Sequence, residues 1–265
     1  MTKNSFYLFL LISVLFTSCI PIKDLVYLQD KSTSSEQSSI AAVESKPYRL
    51  QVNDVLSVTI KAIDPKLVSI FNTTNAADAA QTSKSESGLY FDGFTVDDHG
   101  NIRMPILGEI NVIGYTLDEV RVKIEKKLLE EYFKSEANIF VTVKLAGFRY
   151  TINGEVGSTG TKTLFKDNVT ILEAIANAGD ITTVGNRKAV TVIRQTPTGV
   201  QMNDIDLTDI NVMKSPYYYL QPNDYIYVKP LRQKTWGTGQ TGIQSIGTII
   251  TLLSLATTVY LIIKN

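Results

Sequence analysis

Thr116–Tyr132 reads TLDEVRVKIEKKLLEEY. Leu117, Val120, Ile124, Leu128 and Tyr132 recur at helical spacing, and Arg, Lys and Glu fill the positions between them. Thr116 and Glu119 stand three apart at its start, the spacing of a capping box, in which hydroxyl and carboxylate take up free N–H groups of the first turn. A helix with one apolar stripe must lay that stripe on another layer, and the sequence on both sides is strand-like, so a sheet is the partner. The charge run on its other side reads as a solvated face. The fold class that follows is α+β.

Upstream of the helix, Tyr48, Leu50 and Val52 alternate with polar neighbours, Asn53-Asp54 makes a turn, and 55–60 reads as a strand. Strands at 94–97, 102–104 and 108–112 follow, with turns at His99-Gly100 and Gly114. The Ala, Ser and Thr-rich stretch 72–87 reads as a surface insertion. Downstream, 139–145 alternates and closes a first unit of mostly strands with one helix. A second unit starts near Phe148, with strands at 151–156, 162–165, 190–194, 200–202 and 225–229. Its single helix is opened by a second capping box, Thr170 to Glu173, and closed by Gly179, where a left-handed residue is needed. Leu50-Gln51-Val52-Asn53-Asp54 and Leu220-Gln221-Pro222-Asn223-Asp224 echo each other, and turn chemistry accounts for the echo without a repeat architecture.

The chain of 265 residues has 26 basic and 26 acidic side chains, which removes the electrostatic case for nucleic acid. Its one cysteine, Cys19, excludes an intrachain disulfide and a cysteine-based zinc site. Phe6–Phe16 is an apolar run of eleven residues after Lys3, a signal-peptide core too short to span a bilayer. Thr17 and Ser18 then lead to Cys19 as in bacterial lipoprotein signals, although Phe16 stands where a smaller residue is usual. An ordinary signal peptide with a chance cysteine is the alternative. Residues 31–45, rich in Ser, Thr, Gln and Ala, read as a tether.

Gly242–Ile263 holds twenty-two residues without a charge, closed by Lys264 and Asn265. At about 1.5 Å per residue, a helix of this length reaches about 33 Å, against a hydrocarbon core of about 30 Å. As a helix it would carry Gln244, Thr248, Thr251 and Thr258 on one side and Ile246, Ile249, Leu253 and Tyr260 on the other. A single-pass anchor and a stave facing water on one side are both open. Trp236 suits a membrane interface or the body of the protein.

Tyr48-Arg49-Leu50 with Asn53-Asp54-Val55-Leu56, Pro105-Ile106-Leu107-Gly108 and Gly114-Tyr115-Thr116-Leu117 resemble the polysaccharide export domain of the Wza-type outer-membrane family. Ile152-Asn153-Gly154-Glu155-Val156, Ala178-Gly179, Arg194 and Leu220–Asp224 resemble the β-grasp (SLBB) domain of the same proteins. Asn53, Asn223 and Asp180 replace glycines common at those turns, and Thr159 replaces a proline. The domain plan is a lipoprotein signal peptide over 1–18, a lipidated tether over 19–46, the export domain over 47–147, the SLBB domain over 148–231 and a C-terminal transmembrane helix over 232–265.

The resemblance implies a homo-oligomeric ring anchored in the outer membrane by a lipid on Cys19, its body in the periplasm, its C-terminal helices forming an α-helical barrel. Capsular polysaccharide or exopolysaccharide would leave through it, with Gln244, Thr248, Thr251 and Thr258 facing the lumen and Trp236 at the interface. An inner-membrane co-polymerase or tyrosine kinase is the implied partner, and no cofactor is implied. The alternative is a membrane-tethered module that binds a soluble ligand or a glycan.

No catalytic constellation emerges from the residues, so an enzyme is not expected. Asp97-Asp98-His99 reads as a turn before Gly100. Asp204, Asp206 and Asp209 lack the glycine and terminal glutamate of a calcium loop. Tyr217, Tyr218 and Tyr219 could stack on sugar rings or pack the sheet.

Overall fold

The computed structural model describes residues 20–31, 46–72, 91–133, 138–196, 198–232 and 234, with seven further positions between 247 and 257. Two cores are built, one for each unit foreseen above.

In the first unit, β1 (Val55–Lys61) lies between β2 (Phe94–Thr95) and, later in the chain, β5 (Phe140–Leu145), antiparallel to both. β3 (Asn101–Met104) and β4 (Gly108–Asn111) form a separate two-stranded hairpin. Helix α1 (Leu117–Glu131) closes the unit, and Val120, Ile124 and Leu128, one stripe at helical spacing, are fully buried. The capping box is formed, with the Thr116 hydroxyl accepting from the Glu119 N–H at 3.2 Å and the Glu119 carboxylate accepting from the Thr116 N–H at 2.7 Å. Residues 47–52 form no strand despite their alternation. Leu50 is instead buried by a mutual backbone pairing, its N–H donating to Tyr115 and its carbonyl accepting from Gly114.

The second unit is a five-stranded sheet around one helix. Its strands are β6 (Phe148–Gly154), β7 (Gly160–Leu164), β8 (Gly185–Thr196), β9 (Gly199–Ile205) and β10 (Tyr225–Pro230), in the spatial order β7-β6-β10-β8-β9. The last strand is thus central, parallel to β6 on one side and antiparallel to β8 on the other. Helix α2 (Ile171–Asn177) starts at the second capping box and buries Ile171, Ala174 and Ile175 against the sheet. The buried Tyr150 hydroxyl donates to the Ala174 carbonyl at 2.8 Å, tying strand to helix. Gly154, at φ 96°, lies so close to the Val228 carbonyl that no side chain fits there.

Residues 20–31 do not behave as a free tether. A 3-10 turn at Ile22–Asp24 and the segment after it lie along the second unit, where Tyr27 and Leu28 pack against the core. Residues 32–45 lie outside the described residues.

Candidate functional site: the junction of the two units

The two echoing stretches fold as the same turn and meet each other. Asn53 has φ 70° and Asn223 φ 67°, left-handed values that the amide side chain tolerates better than most. In each turn the following aspartate accepts the N–H three residues back: Asp54 Oδ2 from Gln51 at 2.8 Å, Asp224 Oδ2 from Gln221 at 2.7 Å. The turns are joined by the Asn223 amide, whose Nδ2 donates to Asp54 Oδ1 at 3.5 Å. Asp180, another residue standing where glycine is common, also takes a left-handed φ of 67°.

Both carboxylates are buried, and each has its own partner. Tyr48 donates its hydroxyl to Asp54 Oδ2 at 2.8 Å. Arg194 grips Asp224 with two bonds, Nε to Oδ1 at 2.9 Å and Nη2 to Oδ2 at 2.7 Å. Burial pushes the Asp54 carboxyl above its ordinary range, opposed by the Gln51 N–H and the Tyr48 hydroxyl. Burial also pushes the Tyr48 phenol far up, helped by the negative charge of Asp54. For Asp224, burial raises the carboxyl and the two bonds from Arg194 act against it. Each carboxylate is thus held by partners from its own unit, and the long Asn223–Asp54 bond links the two turns.

The other candidate side chains are structural where they are described. Asp97 accepts the N–H groups of His99 at 2.9 Å and Asn101 at 2.8 Å, a turn closed by its own side chain. Asp204 bonds Lys229 and Thr191, Asp206 bonds Lys31 and Thr208, and Asp209 caps the 3-10 turn Ile210–Lys214. No three acidic, His or Cys groups gather to hold a metal among the described residues. Tyr217 carries the Arg194 guanidinium over its ring at 4.9 Å and donates to Gln201 at 2.9 Å. Tyr218 and Tyr219 meet edge to face, and the Tyr219 carbonyl accepts from Arg194 at 3.2 Å. These tyrosines thus pack the junction and helix α2, to which Tyr218 offers its carbonyl through the Ile171 N–H.

Cys19, Trp236, Gln244, Thr248 and Thr258 lie outside the described residues. Thr251 is helical and exposed, and its hydroxyl donates to the Gly247 carbonyl one turn back at 2.9 Å. Leu253, from the opposite stripe, is exposed as well. Among the described residues no helix is long and apolar enough to cross a membrane.

Residues 42–145 match the family of polysaccharide biosynthesis/export proteins, and residues 149–228 match the SLBB domain. The chain belongs to the polysaccharide export family. The gap between the two matches falls on the short connection from β5 to β6, next to the polar junction. Among relatives of this export family member is the EPS I polysaccharide export outer membrane protein of Ralstonia nicotianae, 27% identical over 167 residues, 61% of this chain. Its counterpart from Ralstonia solanacearum is 28% identical over 155 residues, 57% of this chain. The chain spans 42% and 40% of the length of these two relatives. Sequence reasoning reached the export and SLBB domains, and it named Asp54, Arg194 and Asp224 as matching residues. It missed that these residues form one network, because contacts between positions 30 and 169 apart leave no local pattern.

Proposed function

We propose that this chain is a subunit of an outer-membrane channel through which exopolysaccharide or capsular polysaccharide leaves the cell. The observation that carries the reading is the export domain followed by an SLBB domain in this chain, supported by its similarity to relatives named as outer-membrane polysaccharide export proteins. In this reading Cys19 carries the lipid anchor, the two units form a periplasmic body, and identical subunits close into a ring. The C-terminal segments pack as an α-helical barrel with Gln244, Thr248, Thr251 and Thr258 toward the lumen and Trp236 at the bilayer interface. Closed symmetry gives each helix one lipid face and one water face, which is how polar groups are accommodated at membrane depth. An inner-membrane co-polymerase or tyrosine kinase supplies the glycan, and the protein acts as a passive conduit without catalysis.

Mild detergent extraction followed by mass measurement tests the reading. A large closed oligomer, together with loss of surface polysaccharide in a deletion strain, is expected. A monomer with intact surface polysaccharide would overturn it in favour of a tethered binding module.

A further inference from the structure

The five-stranded sheet of the second unit ends in two edges that no strand covers among the described residues. β9 pairs with β8 alone and β7 with β6 alone. Folded proteins blunt such edges with lysine, proline or a bulge, because a row of main-chain donors and acceptors invites another strand. β9 has none of these devices: Gly199–Ile205 holds no lysine or proline, and all seven residues stay in register with β8. Val200 and Met202 on this strand are each 66% exposed. At the other edge Phe165, directly after β7, is 66% exposed as well.

Just past β9 the chain already accepts an added segment. Residues 20–31 form a strap there: Leu28 N–H donates to the Leu207 carbonyl at 3.1 Å, Gln29 N–H to Thr208 at 2.8 Å, and Ile210 N–H to Gln29 at 3.1 Å. Tyr27 fastens the strap to Asp180, and Lys31 fastens it to Asp206 at 2.8 Å. It covers 207–210 and leaves 199–205 bare.

The two bare edges suit each other. β10 is parallel to β6 and antiparallel to β8, while β9 is antiparallel to β8 and β7 to β6, so β9 and β7 run in opposite directions. Met202, Ile193, Tyr225, Thr151 and Thr161 stand opposite one another in turn across the sheet and therefore share its face away from helix α2. A second copy shifted sideways by the width of the sheet, without being turned over, sets its β7 antiparallel beside β9 and keeps that face continuous. Charge agrees with shape. Residues 199–209 hold three aspartates and no basic residue, and 160–166 hold Lys162 and Lys166 and no acidic one. Lys162 bonds the Ser158 hydroxyl at 2.8 Å and no carboxylate among the described residues.

We infer that the free edge of β9 pairs antiparallel with the β7 edge of a second copy, so that the second units of neighbouring subunits share one sheet. The inference rests on the ring reading above and adds the contact that links one subunit to the next. Main-chain bonds across the joint supply the strength, as in other additions of a strand to a sheet edge, and Val200 and Met202 pack beside Phe165 of the partner subunit. Because one copy presents β9 at one edge and β7 at the other, the contact is head-to-tail, the kind that generates a closed ring when the rotation per subunit divides a full turn.

Cysteine pairs test it in the full-length protein, oxidised in membranes and then separated by mass without reductant, with wild type, which has Cys19 alone, as the reference. Val200→Cys or Met202→Cys is combined with Thr161→Cys or Phe165→Cys, and each of these combinations is directly opposite in one register that keeps the outer faces together. Within one chain the paired positions lie on opposite edges, about 19 Å apart at roughly 4.8 Å per strand spacing, whereas a disulfide needs Cα atoms within about 7 Å. A bond can therefore form only between copies. At least one combination should give a ladder extending beyond two chains, and its two single variants expressed together should give two-chain species at most. A double variant whose products stop at two chains would overturn the head-to-tail order. A large closed oligomer by mass with no ladder from any combination would overturn the edge contact and leave the ring reading standing. A species of single-chain mass in mild detergent would remove the ring reading and this inference with it.

Discussion

Asp54 and Asp224 occupy equivalent places in equivalent turns, yet one is matched with a neutral phenol and the other with a cation. That difference sets their response to substitution. Removing Arg194 as Arg194→Met strands a buried carboxylate, and urea unfolding of the second unit should show a loss of about 3 to 5 kcal/mol. Arg194→Met combined with Asp224→Leu should recover most of that loss, because no uncompensated charge remains. Asp54, like Asp224, has its carboxyl raised by burial despite the bonds it accepts. Its folded pKa is raised above the ordinary 3.8, so its contribution to stability is fully present below the unfolded value and is lost as pH rises through the folded one. Unfolding free energies of wild type and Asp54→Asn, measured from below pH 4 into the neutral range, should show wild type losing ground to the variant as pH rises. The turns themselves were legible as Asn-Asp pairs after a buried leucine. Their partners were not, since nothing near Asp224 in sequence points to Arg194.

The helices were the most readable elements, because cap and stripe are both local. Thr116 and Thr170 accept the N–H of Glu119 and Glu173 at 3.2 Å each, so Thr116→Ala and Thr170→Ala should each lower stability by about 1 kcal/mol in denaturant titrations. Strands were found by their alternation, but period two carries no information about neighbours. The central place of β10 and its parallel pairing with β6 therefore could not be read from the sequence. The 3-10 turn Ile210–Lys214 and the strap escaped for a related reason: neither is long enough to show a period. In the strap, Tyr27, Leu28 and Lys31 look like scattered residues of a tether until Asp180, Leu207 and Asp206 are placed beside them. Gly154 marks a limit of another kind. Gly154→Ala should cost at least about 2 kcal/mol, visible as a lowered melting temperature, because the Val228 carbonyl lies where the new methyl must go.

At the scale of the whole molecule, Thr251 and Leu253, read from the sequence as members of opposite stripes, are both exposed in a single subunit. Assembly is what would distinguish them. In intact cells, Thr251→Cys should react with a water-borne thiol reagent and Leu253→Cys should not; equal inertness of both would contradict a water-filled barrel. The order of strands in the second unit also constrains how the molecule comes into being. The strand that joins β6 to β8 is the last one made, separated from its parallel partner by some seventy residues, as in the pairing of Thr151 with Tyr225. No sheet of five can close until the chain has been synthesised through Pro230, and pairings this distant in sequence form slowly. The seat of residues 20–31, built by Asp180, Arg187, Lys188 and the loop after β9, also lies late in the chain, so a segment at the front waits for it until most of the rest has been made. During that interval the apolar faces of β6 and β8 stand uncovered, and a nascent chain in this state is a natural client for holding chaperones.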